Sequence, residues 1–579
     1  MSDCRLHEGS TVVIIGGGPG GSACAIKLLQ EGRARGLRLR VLIFEGKDFG
    51  VHANQCVGVL SPPIEDVLSH SLSVSLPRSL VRRQIFGYRL HGARENLLLT
   101  GHGAHAGEPG CGSATYAVER ADFDQFMLDH ARELGAEVVR ARVTGVEFVR
   151  GAGLDEVRVY SESDYERADV VVGAFGLDEA MLSVFEEVTR ARRGGGYARP
   201  SKWLKSYLTT VEATARFQAE KLGHIVHAFL LPPACPHIEF GAITPKDDHI
   251  LVNIAGERVT SCDLDQFLTL PEVQDLLPAF DPATINYYEG RFPSAPARKP
   301  FGHRYALVGD ATGWLRPFKG KGINTAVVTG VRAAETMLDY GVSARAFTHY
   351  RRACADLLGD YRYGVLVRRL MLAGARYFLD PMIDVGKTDP LMYDALFDSV
   401  SGHDSYRNII RRSMKPRLVR KVAARLMGMD SGRGRRVRRA SSMQNTIVRQ
   451  MTERDIDEIM RISEKITGLP QSAYYQTKAA AYIRRAPEYC LVAERRGRLV
   501  GFVLGDVRGW EFATELSGWL EIIGVDPSFH GQGVGRALME ELSARFRRAG
   551  VTVVNTMVNW NDGELIDYFR ANGFDRGEY

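Results

Sequence analysis

Two glycine-rich turns, far apart in the chain, carry the residues best suited to chemistry. The first has the pattern Gly16-x-Gly18-x-x-Gly21, between the apolar run TVVII and the amphipathic segment AIKLLQEG. Gly16 permits a tight turn, Gly18 lets a pyrophosphate approach the backbone, and Gly21 lets a helix pack closely on a strand. Unpaired N–H groups at the start of that helix favour a bound anion. The turn predicts a nucleotide-diphosphate site in a Rossmann-like α/β fold.

Acidic residues near both turns indicate a flavin. Glu45 ends the next predicted strand, where its carboxylate can accept hydrogen bonds from ribose hydroxyls. Within the second turn, residues 305–324, Asp310 follows a strand and can bond a ribityl chain. The helix that begins near Gly322 and Ile323 directs its positive end toward the charge that accumulates on a reduced flavin. Because a plain NAD dehydrogenase needs no second element of this kind, the predicted cofactor is FAD.

A third glycine cluster, HGQGVGR at 530–536, lies in a separate C-terminal segment. Successive N–H groups at a turn from strand to helix bind anions, which suits the pyrophosphate of coenzyme A. The preceding strand, GWLEIIGVDP, can pair its backbone with the extended pantetheine arm. The residues predicted to bind acetyl-CoA or another acyl-CoA are Ile523, Val525, Gln532, Gly533, Gly535 and Arg536.

Length and local composition set the domain organisation. A chain of 579 residues is too long for one core and predicts three or four packing units. Residues 1–429 are predicted to form the flavin domain, whose pattern becomes overwhelmingly helical from Ile323 onward. Residues 430–445 are rich in Gly, Arg and Ser and predict a linker, and residues 446–579 predict a second α/β domain.

The positive charge of the chain is concentrated in residues 407–439. This segment contains 13 Lys and Arg against one acid, Asp430, whereas the whole chain has a net charge of +6. One interpretation is an amphipathic helix on an anionic membrane surface. A solvated face followed by a linker is favoured, because Pro416 interrupts the helix. No nucleic-acid partner is predicted, since no recognition motif or interleaved aromatic residues accompany the arginines.

Other features bound the location and the metal content. No apolar run approaches the ~20 residues that cross a bilayer, and the N-terminus lacks the layout of a secretory signal. We therefore expect a cytoplasmic protein, with the inner face of the membrane as its one candidate attachment. The eight cysteines include no C-x-x-C pair, which predicts reduced thiols and no zinc site.

Residues 11–430 resemble the geranylgeranyl reductase family of flavoproteins, within the wider group related to aromatic hydroxylases. The shared motifs are GGGPGG, Glu45, Cys56-Val-Gly58-Val, Arg120-x-x-Phe123-Asp124, Gly309-Asp310 and Gly320-x-Gly322-Ile323. The resemblance implies an FAD domain with a mixed-sheet substrate layer and a helical extension. It implies FAD contacts at Gly20, Glu45, Cys56, Val57, Val59, Arg120, Val143, Asp310, Gly322 and Ile323.

The chain departs from this family where the substrate is expected. Where the family has an aromatic Y-x-W-x-F-P strand, this chain has Phe240-Gly-Ala-Ile-Thr-Pro245. Where the family has Cys-Gly-Gly, this chain has Cys-Val-Gly at 56–58, and Phe175 stands where the family has an acid. These changes put a polyprenyl substrate in doubt and leave an isoprenoid or acyl group as alternatives. Since there is no second dinucleotide fingerprint, the electron donor is predicted to be a partner protein or a transiently docked NAD(P)H.

Cys56 is the reactive side chain predicted to lie beside the flavin. With a reference pKa of ~8.5, its thiol could protonate a substrate carbon after hydride delivery. The alternative is a small buried residue packed beside the cofactor.

Residues 446–579 resemble the GNAT superfamily of N-acetyltransferases, whose loop has the form R/Q-x-x-G-x-G/A. The resemblance implies Glu521 as a general base, and the alternative for Glu521 is the outward residue of an alternating strand. It places a tyrosine acid four residues before the Gly573-Phe574 pair; Phe569 stands there and Tyr568 is one step earlier. Tyr568 is therefore the predicted acid.

The leading functional prediction is FAD-dependent reduction of a carbon–carbon double bond in an apolar substrate, fused to an acyl-CoA-dependent N-acyltransferase. One alternative makes the flavin enzyme a monooxygenase. Another makes the acetyltransferase the main activity, with the flavoprotein as its redox-sensing partner.

Overall fold

The chain divides into two units, Met1–Met429 and Asp430–Tyr579. Both are seen in a computed structural model. The residues that it describes are 4–51, 56–100, 115–150, 155–191, 195–230, 232, 234–281, 285–315, 321–426, 446–467, 473–495, 497–508, 516–530, 532–551, 553–557, 569 and 574. The predicted linker, 430–445, lies outside these residues.

The first unit is built from strands β1–β19 and helices α1–α13. Its strands are β1 (Thr11–Ile15), β2 (Arg40–Phe44), β3 (Val59–Leu60), β4 (Val81–Ile85), β5 (Gly87–His91), β6 (Asn96–Leu99), β7 (Thr115–Val118), β8 (Glu137–Val139), β9 (Val143–Arg150), β10 (Asp155–Ser161), β11 (Tyr165–Ala168), β12 (Val170–Gly173), β13 (Trp203–Glu212), β14 (Ile225–Leu230), β15 (Phe240–Pro245), β16 (His249–Gly256), β17 (Tyr288–Pro293), β18 (Phe301–Gly302) and β19 (Tyr305–Leu307). Its helices are α1 (Pro19–Ala34), α2 (Ile64–Asp66), α3 (Arg120–Glu133), α4 (Glu179–Arg190), α5 (Ala215–Lys221), α6 (Ser261–Leu268), α7 (Pro271–Gln274), α8 (Gly322–Tyr340), α9 (Phe347–Ala353), α10 (Ala355–Gly386), α11 (Pro390–Ser401), α12 (Tyr406–Ser413) and α13 (Pro416–Leu426).

A mostly parallel sheet forms the layer of this unit that the sequence predicts to bind a nucleotide. Its strand order is β18-β19-β12-β1-β2-β8, with only β18–β19 antiparallel. The central strands have continuous apolar sequences because helices or further strands cover both faces of the sheet. Val12, Val13 and Ile14 in β1 are accordingly fully buried. The predicted strand–turn–helix–strand pattern of residues 11–45 is confirmed.

A seven-stranded mixed sheet forms the second layer, in the order β17-β13-β16-β15-β14-β5-β6. One face packs against α6 and α7, and the other packs in part against the helical extension α10–α13. Two three-stranded sheets, β11-β10-β9 and β3-β7-β4, complete the unit. The predicted mixed-sheet layer and helical extension are both present.

The basic segment folds into α12 and α13, and Pro416 begins the second helix. Ile409 and Leu418 are buried in the core of the helical extension, so these apolar residues are not available to a membrane. Three of the cations pair with acids of the same extension: Arg412 with Asp398 at 2.6 Å, Lys421 with Asp389 at 2.5 Å and Arg425 with Asp384 at 3.1 Å. Residues 427–439 lie outside the described part of the chain.

The second unit has a five-stranded sheet in the order β20-β21-β22-β23-β24. The strands are β20 (Ile447–Gln450), β21 (Cys490–Arg495), β22 (Arg498–Arg508), β23 (Ser517–Val525) and β24 (Val553–Thr556). The helices are α14 (Ile456–Thr467), α15 (Ala473–Arg485) and α16 (Val534–Arg548). Only the β23–β24 pair is parallel. In neither unit does a helix of the described residues combine the length and apolar character of a membrane span.

Close packing of α1 against α8 supports the nucleotide-binding layer. A Cβ on Gly330 would lie 2.3 Å from the carbonyl oxygen of Gly20, so the two backbones touch where side chains are absent. We predict that Gly330→Ala lowers the free energy of unfolding of the first unit by about 1–3 kcal/mol, because overpacking separates the helices. Urea unfolding followed by circular dichroism measures this change.

Gly359 provides the matched control for Gly330→Ala. It is exposed in α10 and a Cβ there meets no atom within 4 Å. Gly359→Ala should be neutral or stabilising by up to about 1 kcal/mol, because alanine has the higher helix propensity. Equal effects of the two substitutions would contradict the packing argument.

Candidate functional site

The first glycine turn has the geometry that its pattern predicts. Gly16 has φ +106°, and a Cβ on Gly21 would lie 2.0 Å from the carbonyl oxygen of Gly16. Gly20 faces α8, where a Cβ would lie 3.2 Å from the carbonyl oxygen of Ala326. Gly18 differs, because a Cβ there would meet no protein atom closer than 3.9 Å. The open space beside Gly18 is a cradle for a ligand.

Glu45 is held in place by two backbone N–H groups. Its Oε2 accepts from Gly17 N at 2.8 Å, and its Oε1 accepts from Lys47 N at 2.8 Å. The carboxylate therefore stands at the end of β2, beside the glycine turn, as the sequence predicts. Its remaining lone pairs can accept from ribose hydroxyls. Val143 begins β9 and packs in the core cluster that contains Ile15 and Phe44.

Arg120 joins the segments that the sequence assigns to the flavin. Its Nε donates to Asp124 Oδ1 at 2.6 Å, and a Cβ on Gly18 would lie 4.0 Å from an Arg120 terminal nitrogen. Although burial alone would lower the pKa of Arg120, electrostatic attraction by Asp124 and by Cys56 raises it. Burial raises the pKa of Asp124, and Arg120 opposes that rise. One guanidinium thus faces the glycine turn and the Cys56 thiol.

The turn that carries Cys56, Val57 and Val59 depends on Gly58. This glycine has φ +70°, and a Cβ there would lie 2.1 Å from the carbonyl oxygen of Val118. Lys246, which follows β15, is buried and donates from Nζ to Val118 O at 3.1 Å and Glu119 Oε1 at 2.7 Å. These hydrogen bonds connect the seven-stranded sheet, the predicted substrate layer, to Glu119, the residue before Arg120.

The second glycine turn brings Asp310 to the start of α8. A Cβ on Gly322 would lie 3.2 Å from Asp310 Oδ1. Burial raises the pKa of the Asp310 carboxyl, and the positive charge of Arg120 opposes that rise. Ile323 is buried in the core between α1 and α8. Asp310 and the α8 N-terminus therefore meet as predicted, although Gly320 lies outside the described residues.

Asn324 is a site residue that the sequence reasoning missed. Its Nδ2 donates to Ser61 O at 2.5 Å, while its buried Oδ1 has no hydrogen-bond partner among the described residues. Asp124 was also missed as a contact, although its spacing of four residues from Arg120 on a helix could have revealed it. Three features fit FAD: the open space at Gly18, the carboxylate of Asp310 and the Asn324 Oδ1 atom, which can accept a hydrogen bond from a ligand.

The coenzyme A loop of the second unit is anchored at one residue. Gly533 has φ +85° and precedes the first residue of α16, while Gly535 and Arg536 lie in the first turn of that helix. Arg495 donates to Gln532 Oε1 at 2.8 Å and to Gln532 O at 3.0 Å. The loop conformation is thus held from the β21 side.

The strand before the loop has an open edge. β23 pairs with β24 only from Ser517 to Leu520, so the edge that carries Ile523 and Val525 has no partner strand on that side among the described residues. His530 Nε2 lies 2.9 Å from Val525 O. An extended amide chain can add to an open edge of this kind, which agrees with the predicted pantetheine contact.

Glu521 occupies a β-bulge that a simple alternation does not predict. Leu520 opposes Gly505 and Ile522 opposes Leu504, which leaves Glu521 as the extra residue. Its carboxylate accepts from Lys478 at 2.6 Å, Arg508 at 2.8 Å and Tyr482 at 2.9 Å. Burial would raise its pKa, but these hydrogen bonds lower it to about 2. Such a carboxylate holds a proton weakly, so this environment opposes the predicted base role. Tyr568 lies outside the described residues.

Comparison with a family model assigns the second unit. Residues 456–574 match the acetyltransferase (GNAT) family. They form a GNAT-family domain. An L-2,4-diaminobutyric acid acetyltransferase of Nocardia farcinica is 33% identical over 126 residues, which are 21% of this chain and 61% of that protein.

The first unit is similar to geranylgeranyl reductases. The digeranylgeranylglycerophospholipid reductase of Methanococcus vannielii is 24% identical over 379 residues, covering 63% of this chain and 88% of that enzyme. A geranylgeranyl bacteriochlorophyll reductase-like protein of Thermoplasma acidophilum shares the fold with a TM-score of 0.53, at 18% identity, over 70% of this chain and 99% of that one. A flavoprotein/dehydrogenase of Cytophaga hutchinsonii has a TM-score of 0.54 at 17% identity, covering 73% of this chain and 100% of that one. The predicted resemblances and fold class are confirmed, and the protein is an enzyme.

The open space at Gly18 generates a test of the cofactor site. Gly18 has extended backbone geometry, φ −66° and ψ −174°, which any residue adopts. We predict that Gly18→Val leaves thermal stability of the FAD-free protein nearly unchanged but weakens FAD binding by at least about tenfold, because the side chain fills the cradle. Flavin fluorescence titration measures the affinity.

The control for Gly18→Val is Gly359→Ala, at an exposed helical glycine with open space in the same unit. It should bind FAD normally. Unaltered FAD affinity of Gly18→Val would contradict the placement of the cofactor.

Proposed function

We propose that the first unit is an FAD-dependent oxidoreductase that reduces a carbon–carbon double bond of an apolar substrate, such as an isoprenoid or acyl group. The observation that carries this proposal is the position of Arg120, which pairs with Asp124, interacts electrostatically with Cys56 and faces Gly18. The name of the Methanococcus vannielii relative supports an isoprenoid lipid as the first substrate to test. The proposed electron donor is NAD(P)H or a redox protein.

FAD, when bound and reduced, supplies a hydride to one carbon of the double bond. The chain must then deliver a proton to the other carbon. We assign this step to the Cys56 thiol, whose S–H bond breaks as the new C–H bond forms. The thiolate that remains lies near the Arg120 guanidinium, whose positive charge stabilises it.

Other titratable groups of the substrate layer are poorly suited to that proton transfer. His91 and His227 contact each other at 2.9 Å, and burial lowers their pKa values to about 4 and about 3. His227 pairs with Ile243 and so projects from the opposite face of the sheet to Ala242 and Thr244. Lys246 is already bonded to Glu119. Cys56 is therefore the favoured donor.

Two buried oxygens on the substrate layer bear on the substrate. Thr244 Oγ1 and Asn253 Oδ1 have no hydrogen-bond partner among the described residues. Asn253 opposes Ala242, so both oxygens belong to one face of the sheet. Lys246, two residues beyond Thr244, reaches the Cys56–Gly58 turn from this face. We propose that Thr244 and Asn253 accept hydrogen bonds from a polar group attached to the apolar substrate.

Cys56→Ser tests the proton-transfer assignment. We predict that the variant binds FAD normally but reduces digeranylgeranylglycerophospholipid at least about 100-fold more slowly, since a serine hydroxyl is a much weaker acid. The assay is anaerobic, uses dithionite as the electron source and detects the reduced lipid by mass spectrometry. Cys262→Ser, a substitution of an exposed thiol, should turn over like the unaltered protein. Equal rates for both variants would remove Cys56 from the mechanism.

The same reduced protein distinguishes reduction from hydroxylation. After exposure to oxygen, a monooxygenase consumes oxygen in step with substrate and produces a hydroxylated lipid. A reductase forms the saturated product without oxygen. Hydroxylated product would replace the reductase proposal with the monooxygenase alternative.

We propose acyl transfer from coenzyme A to an amine as the activity of the second unit. The open edge of β23 and the Gly533 turn support acyl-CoA binding, and the Nocardia farcinica relative supports L-2,4-diaminobutyrate as the first acceptor to test. Because the contacts of Glu521 oppose a base role, we propose that its carboxylate positions Lys478, Arg508 and Tyr482. Tyr568 remains the predicted acid for the leaving thiolate.

Arg495→Met tests the coenzyme A loop. Loss of two charge-assisted hydrogen bonds to Gln532 should weaken acetyl-CoA binding by about tenfold or more. Calorimetry with acetyl-CoA measures the affinity, and release of free thiol reports transfer to the amine. Arg498→Met removes an exposed cation of the adjacent strand and should bind like the unaltered protein. Equal affinities for the two variants would contradict this role for Arg495.

A further inference from the structure

Helix α10 presents large apolar side chains to the outside. Leu366, Leu370 and Tyr377 are 45%, 57% and 68% exposed. We call these three residues the α10 stripe. At 3.6 residues per turn they lie within about 40° of one another around the helix. Tyr363 extends the stripe toward the N-terminus, and Phe378 adds exposed apolar surface at its side. Large apolar side chains exposed on one face of a helix mark an interaction site.

The opposite face of α10 is attached to the protein. Arg368 lies about 180° around the helix from the stripe. Its guanidinium donates two hydrogen bonds of 2.6 Å to Glu239 and one of 2.9 Å to Glu257. Since Glu239 is buried at the start of the β15 region, the ion pair fixes which face of α10 turns outward. The stripe is therefore exposed by the architecture of the unit.

Unpaired cations accompany the stripe. Arg362 and Arg369 are exposed on α10 itself. Helices α12 and α13 pack against α10, and five further exposed cations lie on these two helices and on the turn between them. These five are Arg407, Arg411, Lys415, Arg417 and Arg420. Among the described residues none of the seven forms an ion pair with Asp or Glu. The sequence from Arg407 to Leu426 contains no acid.

We propose that the first unit docks on the surface of an anionic lipid bilayer through the α10 stripe. The apolar side chains enter the interfacial region, and the cations of α10, α12 and α13 contact lipid phosphates. This surface differs from the amphipathic helix expected from the sequence, whose apolar residues Ile409 and Leu418 are buried. A second copy of the chain fits less well, because a two-fold contact through the stripe would bring the two cation clusters together. The proposal does not depend on the reaction that the unit catalyses.

Vesicle flotation of the full chain tests the proposal. Phosphatidylcholine vesicles with phosphatidylglycerol should retain the protein at low salt about tenfold better than phosphatidylcholine alone, and high salt should reduce retention. Leu370→Glu with Tyr377→Glu should lower retention about tenfold, because carboxylates oppose insertion. Arg411→Glu with Arg417→Glu should lower it by a similar factor on anionic vesicles only.

The controls place the same changes elsewhere on the surface. Val553→Glu alters a 53% exposed apolar residue, and Arg167→Glu reverses a 66% exposed cation, so neither should affect retention. Unchanged melting temperature and flavin content verify that all variants fold. Absence of retention at low salt, or full retention of the Leu370/Tyr377 variant, would overturn the proposal. So would a dimer in light scattering that the same variant converts to a monomer.

Discussion

The structure of the predicted flavin site depends on one partly buried cation, the guanidinium of Arg120. Transfer of a charged group from water into a protein interior costs several kcal/mol unless it is paired. The ion pair with the buried Asp124 offsets the desolvation of Arg120, and electrostatic attraction to Cys56 and Asp310 adds to it. These residues come from separate parts of the chain, so one cation defines where the segments meet. The pairing is mutual, because without Arg120 the buried Asp124 carboxylate would lose its ion-pair partner.

Helix ends add a second electrostatic constraint at the same place. α1 begins at Pro19, beside Gly18, and α8 begins at Gly322, beside Asp310. The contact between Gly20 and Gly330 holds the two helices close together. Two positive helix ends near one point repel each other unless negative charge lies between them. The pyrophosphate and the reduced ring of a bound FAD would supply that charge.

In the second unit, backbone geometry shapes the predicted coenzyme A site. A bulge at Glu521 and the early end of the β23–β24 pairing open the sheet edge beside the loop that leads to Gly533. The bulge also turns the Glu521 carboxylate toward Lys478 on α15 and Arg508 on β22. The acid that the GNAT resemblance implies as a base is thereby a member of an ion-paired cluster. Its pKa of about 2 reflects the neighbours that the bulge gives it.

Local sequence determined the elements and the cofactor class of this protein. The β1–α1–β2 turn, Glu45 and the Asp310 turn are recognisable because glycine spacing and apolar periodicity act over a few residues. Only the tertiary structure decided which side chains share an environment: Arg120 with Cys56, Asn324 with Ser61, and Glu521 with Lys478. It also decided that Ile409 and Leu418 are covered while Leu370 and Tyr377 are not. The physical reason is that burial and charge pairing arise between segments distant in the chain, whereas propensity and spacing act within one segment.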